Sequence, residues 1–265
     1  MTHDLFRRTA DYWASRVTYN KAKDRYEILN VVPPDEEAEI INNSAYTNAA
    51  AKLNLELAIA DAKEAGQSYP KQWEEIAAKM YIPFDAKNRR YLEYDGYNGK
   101  QTKQADTELL IYPLMLPMPE DIKRNTFDYY KARTNPRGPA MTSSIHAIIA
   151  AELGRPDEAY QHFTASYKEF LRGPFLMFNE KRSQTYENMC FLTGCAGTLQ
   201  SVIYGFGGAR INWRPDSGEN FGKLTFNPVL PKQWKSLQIT NIKWQGKTFD
   251  LVVEQESKYK IVPRP

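Results

Sequence analysis

The chain has 265 residues, 35 Lys and Arg against 32 Asp and Glu for a formal charge of +3, 42% hydrophobic residues and a mean hydropathy of −0.62. Its 5 Trp, 17 Tyr and 12 Phe supply more buryable surface than a disordered composition holds, and no run approaches the ~18 apolar residues of a membrane span. So small a charge, without a basic stripe interleaved with aromatics, gives no grip on nucleic acid.

From about residue 5 to 210 the apolar spacing is helical, and it predicts helices near 3–16, 42–65, 69–80, 103–117, 119–132, 140–153, 156–171 and 189–204. Ala49, Leu53, Leu57 and Ala60 mark one apolar stripe, and Trp73, Ile76, Ala77 and Met80 mark another. Arg155-Pro156-Asp157-Glu158 places Pro and acids at a helix start, with Tyr160, Phe163, Tyr167 and Phe170 as the apolar face behind it. Cys190 and Cys195 lie on one apolar segment and read as small core residues rather than a disulfide framework. Turn-rich linkers at 82–85, 94–99 and 135–139 separate the helices.

After Gly205-Phe206-Gly207-Gly208 the period changes. Leu224/Phe226, Leu237/Ile239, Ile242/Trp244 and Phe249/Leu251/Val253 alternate with polar residues, and Gln245-Gly246-Lys247 sits between two such runs as a hairpin turn. Residues 218–262 are therefore expected to form a small antiparallel β unit, too thin to stand without packing against something else.

The most distinctive stretch is Val31-Val32-Pro33-Pro34-Asp35-Glu36-Glu37-Ala38-Glu39-Ile40-Ile41-Asn42-Asn43-Ser44-Ala45-Tyr46-Thr47-Asn48. Two prolines enforce extended backbone. The amides that follow suit helix capping or hydrogen bonding to a polyhydroxylated ligand. The carboxylates admit two readings by themselves. Crowding can raise one pKa until a Glu serves as general acid, or the acids simply complement a helix N-terminus.

This segment resembles the signature of glycoside hydrolase family 65, in which a Pro-Asp-Glu stretch supplies the general acid and an Asn-Asn-x-x-Tyr-Thr-Asn run follows. Lys103-Gln104-Ala105-Asp106 is similar to the family's Lys-Gln-Ala-Asp motif. Gly138-Pro139-Ala140-Met141-Thr142, Asn188-Met189-Cys190-Phe191-Leu192-Thr193-Gly194, Gly205-Phe206-Gly207-Gly208 and Leu224-Thr225-Phe226-Asn227-Pro228-Val229-Leu230-Pro231 resemble further landmarks in the expected order. The resemblance implies a mainly α fold: the C-terminal half of an (α/α)6 catalytic barrel over 1–212, then a small β domain over 213–265. It implies Glu36 as general acid, Lys103 and Gln104 as residues holding the transferred glucose, an α-glucoside as substrate, and no metal or organic cofactor.

Within the family, hydrolases use a second carboxylate to activate water and phosphorylases bind phosphate instead. An inverting hydrolase keeps its two carboxyls ~6.5–9.5 Å apart to admit that water. Pro174-Phe175-Leu176-Met177-Phe178-Asn179-Glu180 resembles the hydrolase loop and implies Glu180 as general base; Glu187 is the other carboxylate of this stretch. Thr142-Ser143-Ser144-Ile145-His146 resembles a phosphorylase Ser/His segment and keeps phosphorolysis as the alternative, although a lone His on an apolar helix is more simply a packed side chain.

The family's barrel has twelve helices and its Trp-Asp-Thr-Glu glucose subsite lies in the first half, so a chain with eight helices is expected to be the C-terminal half of an enzyme. A third reading is accordingly a truncated or split product that needs an N-terminal partner. The N-terminus reads as internal and lacks an apolar leader, which leaves cytoplasm and periplasm both open.

Overall fold

A computed structural model describes residues 2–182 and 190–264, and the chain divides into two compact units, Met1–Thr134 with Arg214–Phe221, and Asn135–Trp213 with Gly222–Pro265. In the first unit α1 (Thr2–Arg16), α2 (Ala45–Glu64), α3 (Gln72–Lys79) and α4 (Glu120–Lys131) are linked through two hairpins, β1 (Thr18–Asn20) with β2 (Arg25–Glu27) and β3 (Phe84–Asp85) with β4 (Arg90–Tyr91).

Helix α2 organises this unit. Ser44 caps it by accepting the Thr47 N–H, and buried residues run nearly all round it, as expected for a helix surrounded by others. Ala49 and Leu53 of the predicted stripe are buried, but Leu57 and Ala60 are only half-buried; Ala51, Leu55, Ala58 and Ile59 carry the core face instead. They pack with Trp73, Ile76, Ala77 and Met80, the predicted face of α3, against Tyr26 and Ile28. Arg214 returns to this unit and donates to Glu56 Oε2 at 2.8 Å.

The helix predicted over 103–117 does not form. Only a 3-10 turn spans Thr107–Leu110, and Asp106 ahead of it has φ −134° and ψ −81°. The physical reason is competition: Thr102 N–H goes to the Arg133 carbonyl and Lys103 N–H to the Asp35 carboxylate, while Pro113 and Pro117 remove two donors from the second half.

In the second unit α5 (Thr142–Glu152), α6 (Pro156–Tyr167) and α7 (Leu192–Gln200) pack together, and α7 runs on into a π-helical turn, Ser201–Phe206. Pro156 occupies the first turn of α6 as read from the sequence. Phe163 of α6 joins Phe206 and Trp234, with Phe206 and Trp234 centroids 4.5 Å apart. Two short hairpins, β5 (Leu171–Arg172) with β6 (Met177–Phe178) and β7 (Ala209–Ile211) with β8 (Leu224–Phe226), accompany a sheet of order β11-β10-β9, from β9 (Ser236–Trp244), β10 (Lys247–Glu254) and β11 (Tyr259–Pro263). Leu251 and Val253 on central β10 are fully buried. The Gln245-Gly246 turn has φ of +47° and +76°, the type I′ geometry that a two-residue hairpin favours. Both cysteines are free thiols; Cys195 is half-buried and packs against the Ala140, Phe170 and Phe178 cluster, whereas Cys190 is exposed and is not the core residue expected. Residues 183–189, which include Glu187 and the Asn188-Met189 start of one landmark and of the predicted eighth helix, lie outside the described residues.

Candidate functional site

The Pro33–Glu36 segment belongs to a loop closed at its neck, where Val31 and Ile41 exchange two backbone hydrogen bonds of 2.9 Å. Its tip is tied to residues 103–106. Asp35 N–H donates to Asp106 Oδ2 (2.9 Å), Asp35 Oδ1 accepts the N–H of Lys103 (2.9 Å) and of Glu37 (3.3 Å), and Gln104 Nε2 donates to the Pro34 carbonyl (2.6 Å). The consequence is a sharp division between neighbours. Asp35 is 3% exposed, whereas the Glu36 side chain is 60% exposed and pairs with the Lys103 ammonium. Three of the residues expected from the sequence, Glu36, Lys103 and Gln104, thus come together in the first unit. Gln104 Nε2 is committed to Pro34, and its amide oxygen is buried without a hydrogen-bond partner.

Two of the amides after the loop are committed to the fold. Asn43 and Asn48 are buried: Asn43 Oδ1 accepts from Ile28 N–H and from Asn48 Nδ2, which also donates to the Tyr81 carbonyl at 2.7 Å. They satisfy backbone that would otherwise be orphaned at the entry to α2.

Behind the loop lies a group of buried acids to which the sequence reading assigns no role, Asp106 among them as the last residue of the Lys103–Asp106 motif. Glu93, Asp106 and Glu108 are fully buried beside Asp35, and the Ala45 N–H donates to the Glu93 carbonyl at 2.8 Å, fixing Glu93 against the start of α2. Burial, reinforced by the Asp106 and Asp35 carboxyls, pushes Glu93 up to about 9. Burial likewise raises Asp106 to about 8, with Glu108 and Asp35 adding to it and the hydrogen bond from Asp35 N–H opposing it. Their signal in the sequence is weak: an acid set in Tyr91-Leu92-Glu93-Tyr94, and two more leading the apolar run Leu109-Leu110-Ile111.

Folding therefore takes up a proton at Glu93 wherever the pH lies between the ordinary value of 4.5 and about 9. A carboxyl raised in the folded state stabilises the fold less as pH increases, by about 1.4 kcal/mol per pH unit for one group inside that window. Thermal unfolding followed by circular dichroism is expected to give a midpoint that falls from pH 5.5 to 8.5. Glu93→Gln, which has no proton to lose, should flatten that decline and melt above the unaltered protein at pH 8.5. An unchanged pH slope in the variant would contradict the assignment.

In the second unit two landmarks, Gly138–Thr142 and Phe191–Gly194, meet the segment Phe178–Glu180. The Glu180 carbonyl accepts the Ala140 N–H at 2.9 Å, Asn179 N–H donates to the Phe170 carbonyl at 2.8 Å, and Phe178 stacks on Phe170 with centroids 6.0 Å apart. A Cβ on Gly194 would meet Phe178 at 2.4 Å, so the glycine of the Phe191–Gly194 landmark makes room for that ring. The Glu180 side chain is half-buried. Thr142, Ser144 and His146 are buried in the packing of α5, Ser144 gives its carbonyl to Ser201 Oγ, and the His146 ring meets His162 edge-on at 5.1 Å.

Comparison with known proteins reaches over most of the chain. The model for the "Glycosyl hydrolase family 65 central catalytic domain" matches residues 1–102 and 94–173, and that for the "Glycosyl hydrolase family 65, C-terminal domain" matches 220–261. A protein-glucosylgalactosylhydroxylysine glucosidase from Dictyostelium discoideum is 38% identical over 245 residues, 91% of this chain and 33% of that protein. A kojibiose hydrolase from Flavobacterium johnsoniae is 40% identical over 93% of this chain and 35% of its own length. Among solved structures, a putative kojibiose phosphorylase from the human microbiome superposes with a TM-score of 0.74 at 17% identity, over 99% of this chain and 42% of that one. The chain spans about a third of the length of the curated relatives it matches. It belongs to glycosyl hydrolase family 65, with the mainly helical fold of a partial (α/α)6 barrel followed by small antiparallel sheets.

Proposed function

We propose that this chain carries the catalytic carboxyls of an inverting α-glucosidase acting on a kojibiose- or trehalose-like disaccharide or a glucosyl conjugate. One observation supports this above the others: Glu36 is exposed at the tip of a loop whose neighbours are locked, beside Lys103 and Gln104. In the reaction Glu36 gives its proton to the glycosidic oxygen as the C1–O bond breaks and the bonding pair leaves with that oxygen. Water bonds to C1 from the opposite face and loses its proton to Glu180. In this reading Lys103 and Gln104 hold glucose hydroxyls. In this reading residues 1–212 belong to the catalytic barrel and 213–265 to the β domain, and the first half of the barrel is supplied from outside these residues.

Hydrolysis is preferred to phosphorolysis because Thr142, Ser144 and His146 are committed to helix packing. A kojibiose phosphorylase from Caldanaerobacter subterraneus is nonetheless 30% identical over 96% of this chain. The two readings separate in one assay. Trehalose, kojibiose and nigerose are incubated with and without inorganic phosphate, and free glucose independent of phosphate is the expected product. Phosphate-dependent release of glucose 1-phosphate would replace the hydrolase reading with the phosphorylase one.

A further inference from the structure

The tie between the Pro33–Glu37 loop and residues 103–106 is built from groups that are poor choices for stability. Asp35, Glu93, Asp106 and Glu108 are each at most 3% exposed. Removing carboxyls from water and crowding them together is costly. An Asn at 106 could accept the same amide without that penalty. Conflicts of this kind between local choice and stability concentrate where a protein's geometry serves a reaction. Here the bonds end on the residues next to Glu36 and on Lys103 itself, in both directions: Asp35 gives its N–H to Asp106 and takes that of Lys103.

We propose that Asp35 and Asp106 are positioning residues, whose reciprocal hydrogen bonds, backed by the Glu93 carboxyl, hold the Glu36 carboxyl and Lys103 ammonium in register against the glycosidic oxygen. The proposal rests on the glucosidase reading given above. Asp35 supplies both halves of the lock. Its carboxylate fixes the backbone of the glucose-holding segment, and its amide fixes the loop that carries the acid. The Glu93 carboxyl, buried beside Asp35 and without a hydrogen-bond partner among the described residues, backs the Asp35 side chain.

The test uses the protein as its gene encodes it, with Asp106→Ala, Asp106→Asn and Glu36→Gln. Turnover of kojibiose is compared with that of 4-nitrophenyl α-glucoside, and amide hydrogen exchange is measured in the same variants. A sugar leaving group needs protonation and nitrophenolate does not, so a defect transmitted through Glu36 spares the activated substrate. Asp106→Ala is expected to lower kcat on kojibiose about 100-fold, the scale of a misplacement near an ångström, and on the nitrophenyl glucoside by less than about tenfold. Exchange should quicken at Asp35, Glu37 and Lys103 and stay unchanged in α2. Asp106→Asn keeps an acceptor for the Asp35 N–H and should recover most of the turnover. Where Asp106→Ala does not fold, Asp106→Ser serves, since its hydroxyl falls short of that amide. Equal losses on both substrates, or unaltered exchange at the three amides, would overturn the proposal. If the unaltered protein cleaves neither glucoside, the glucosidase reading itself fails, and the exchange result still decides whether the lock exists.

Discussion

Glu36→Gln is expected to lower disaccharide turnover by about 10²–10⁴-fold, the range a positioned general acid contributes, while the thermal unfolding midpoint stays nearly where it was. The separation follows from how the loop distributes its work. Asp35 is buried and makes the bonds to residues 103–106, whereas the Glu36 side chain is 60% exposed and pairs with Lys103 in solvent. An exposed ion pair contributes about 0–1 kcal/mol, and Gln keeps the size and both polar atoms of the side chain. What Gln lacks is an acidic proton. Turnover of kojibiose by the variant, with circular dichroism melting as the control, therefore reads chemistry without a folding term. Retention of more than about a tenth of the turnover would place the proton donor elsewhere, and a large fall in melting temperature would show that Glu36 is structural after all.

Seven of the eight helices were legible because their signals are local: an apolar face at helical spacing, the Ser44 cap, Pro156 with acids in the first turn. The failure at 103–117 is equally instructive. Its apolar spacing was real, but the amides and side chains at its start are taken by a loop some 70 residues earlier, and no window of sequence reports that competition. The same distance explains the missed acids. Glu93 is buried because Ala45 and Asp35 come to it from elsewhere in the chain. In the β region a break in period carried more than was read from it. The alternating pairs Leu237/Ile239 and Ile242/Trp244 are separated by three residues instead of two, and there the register between β9 and β10 shifts, with Asn241 at φ +60° and its N–H on Asp250 Oδ1. Glu36, Lys103 and Gln104 come forward as candidates only through resemblance to a family, since by spacing alone a Glu and a Lys 67 residues apart are unremarkable groups.

Gly208→Ala is expected to be among the most destabilising single substitutions in the second unit, at about 3 kcal/mol or more. Gly208 has φ +62°, where an L side chain costs about 1–2 kcal/mol. A Cβ there would also lie 2.0 Å from the Asn227 carbonyl oxygen and 2.2 Å from its carbon. That neighbour is backbone and cannot rotate aside. Asn227 N–H donates to the Gly208 carbonyl at 3.0 Å, Val229 N–H donates to the Phe206 carbonyl at 3.0 Å, and β7 pairs with β8 from Ala209 and Phe226 onward. Relieving the clash means parting these bonds, so overpacking of about 1–3 kcal/mol adds to the dihedral term. The close approach gives a physical reason for two landmarks at once, since the Gly205–Gly208 run and Asn227-Pro228 are one contact seen from both sides. Gly246→Ala provides the comparison: its φ of +76° is of the same class, but nothing lies within 4 Å of the added carbon. It should lose only the dihedral term, about 1 kcal/mol. Differential scanning calorimetry of the two variants would check this, and equal shifts in melting temperature would mean that the Asn227 backbone yields where its hydrogen bonds say it should not.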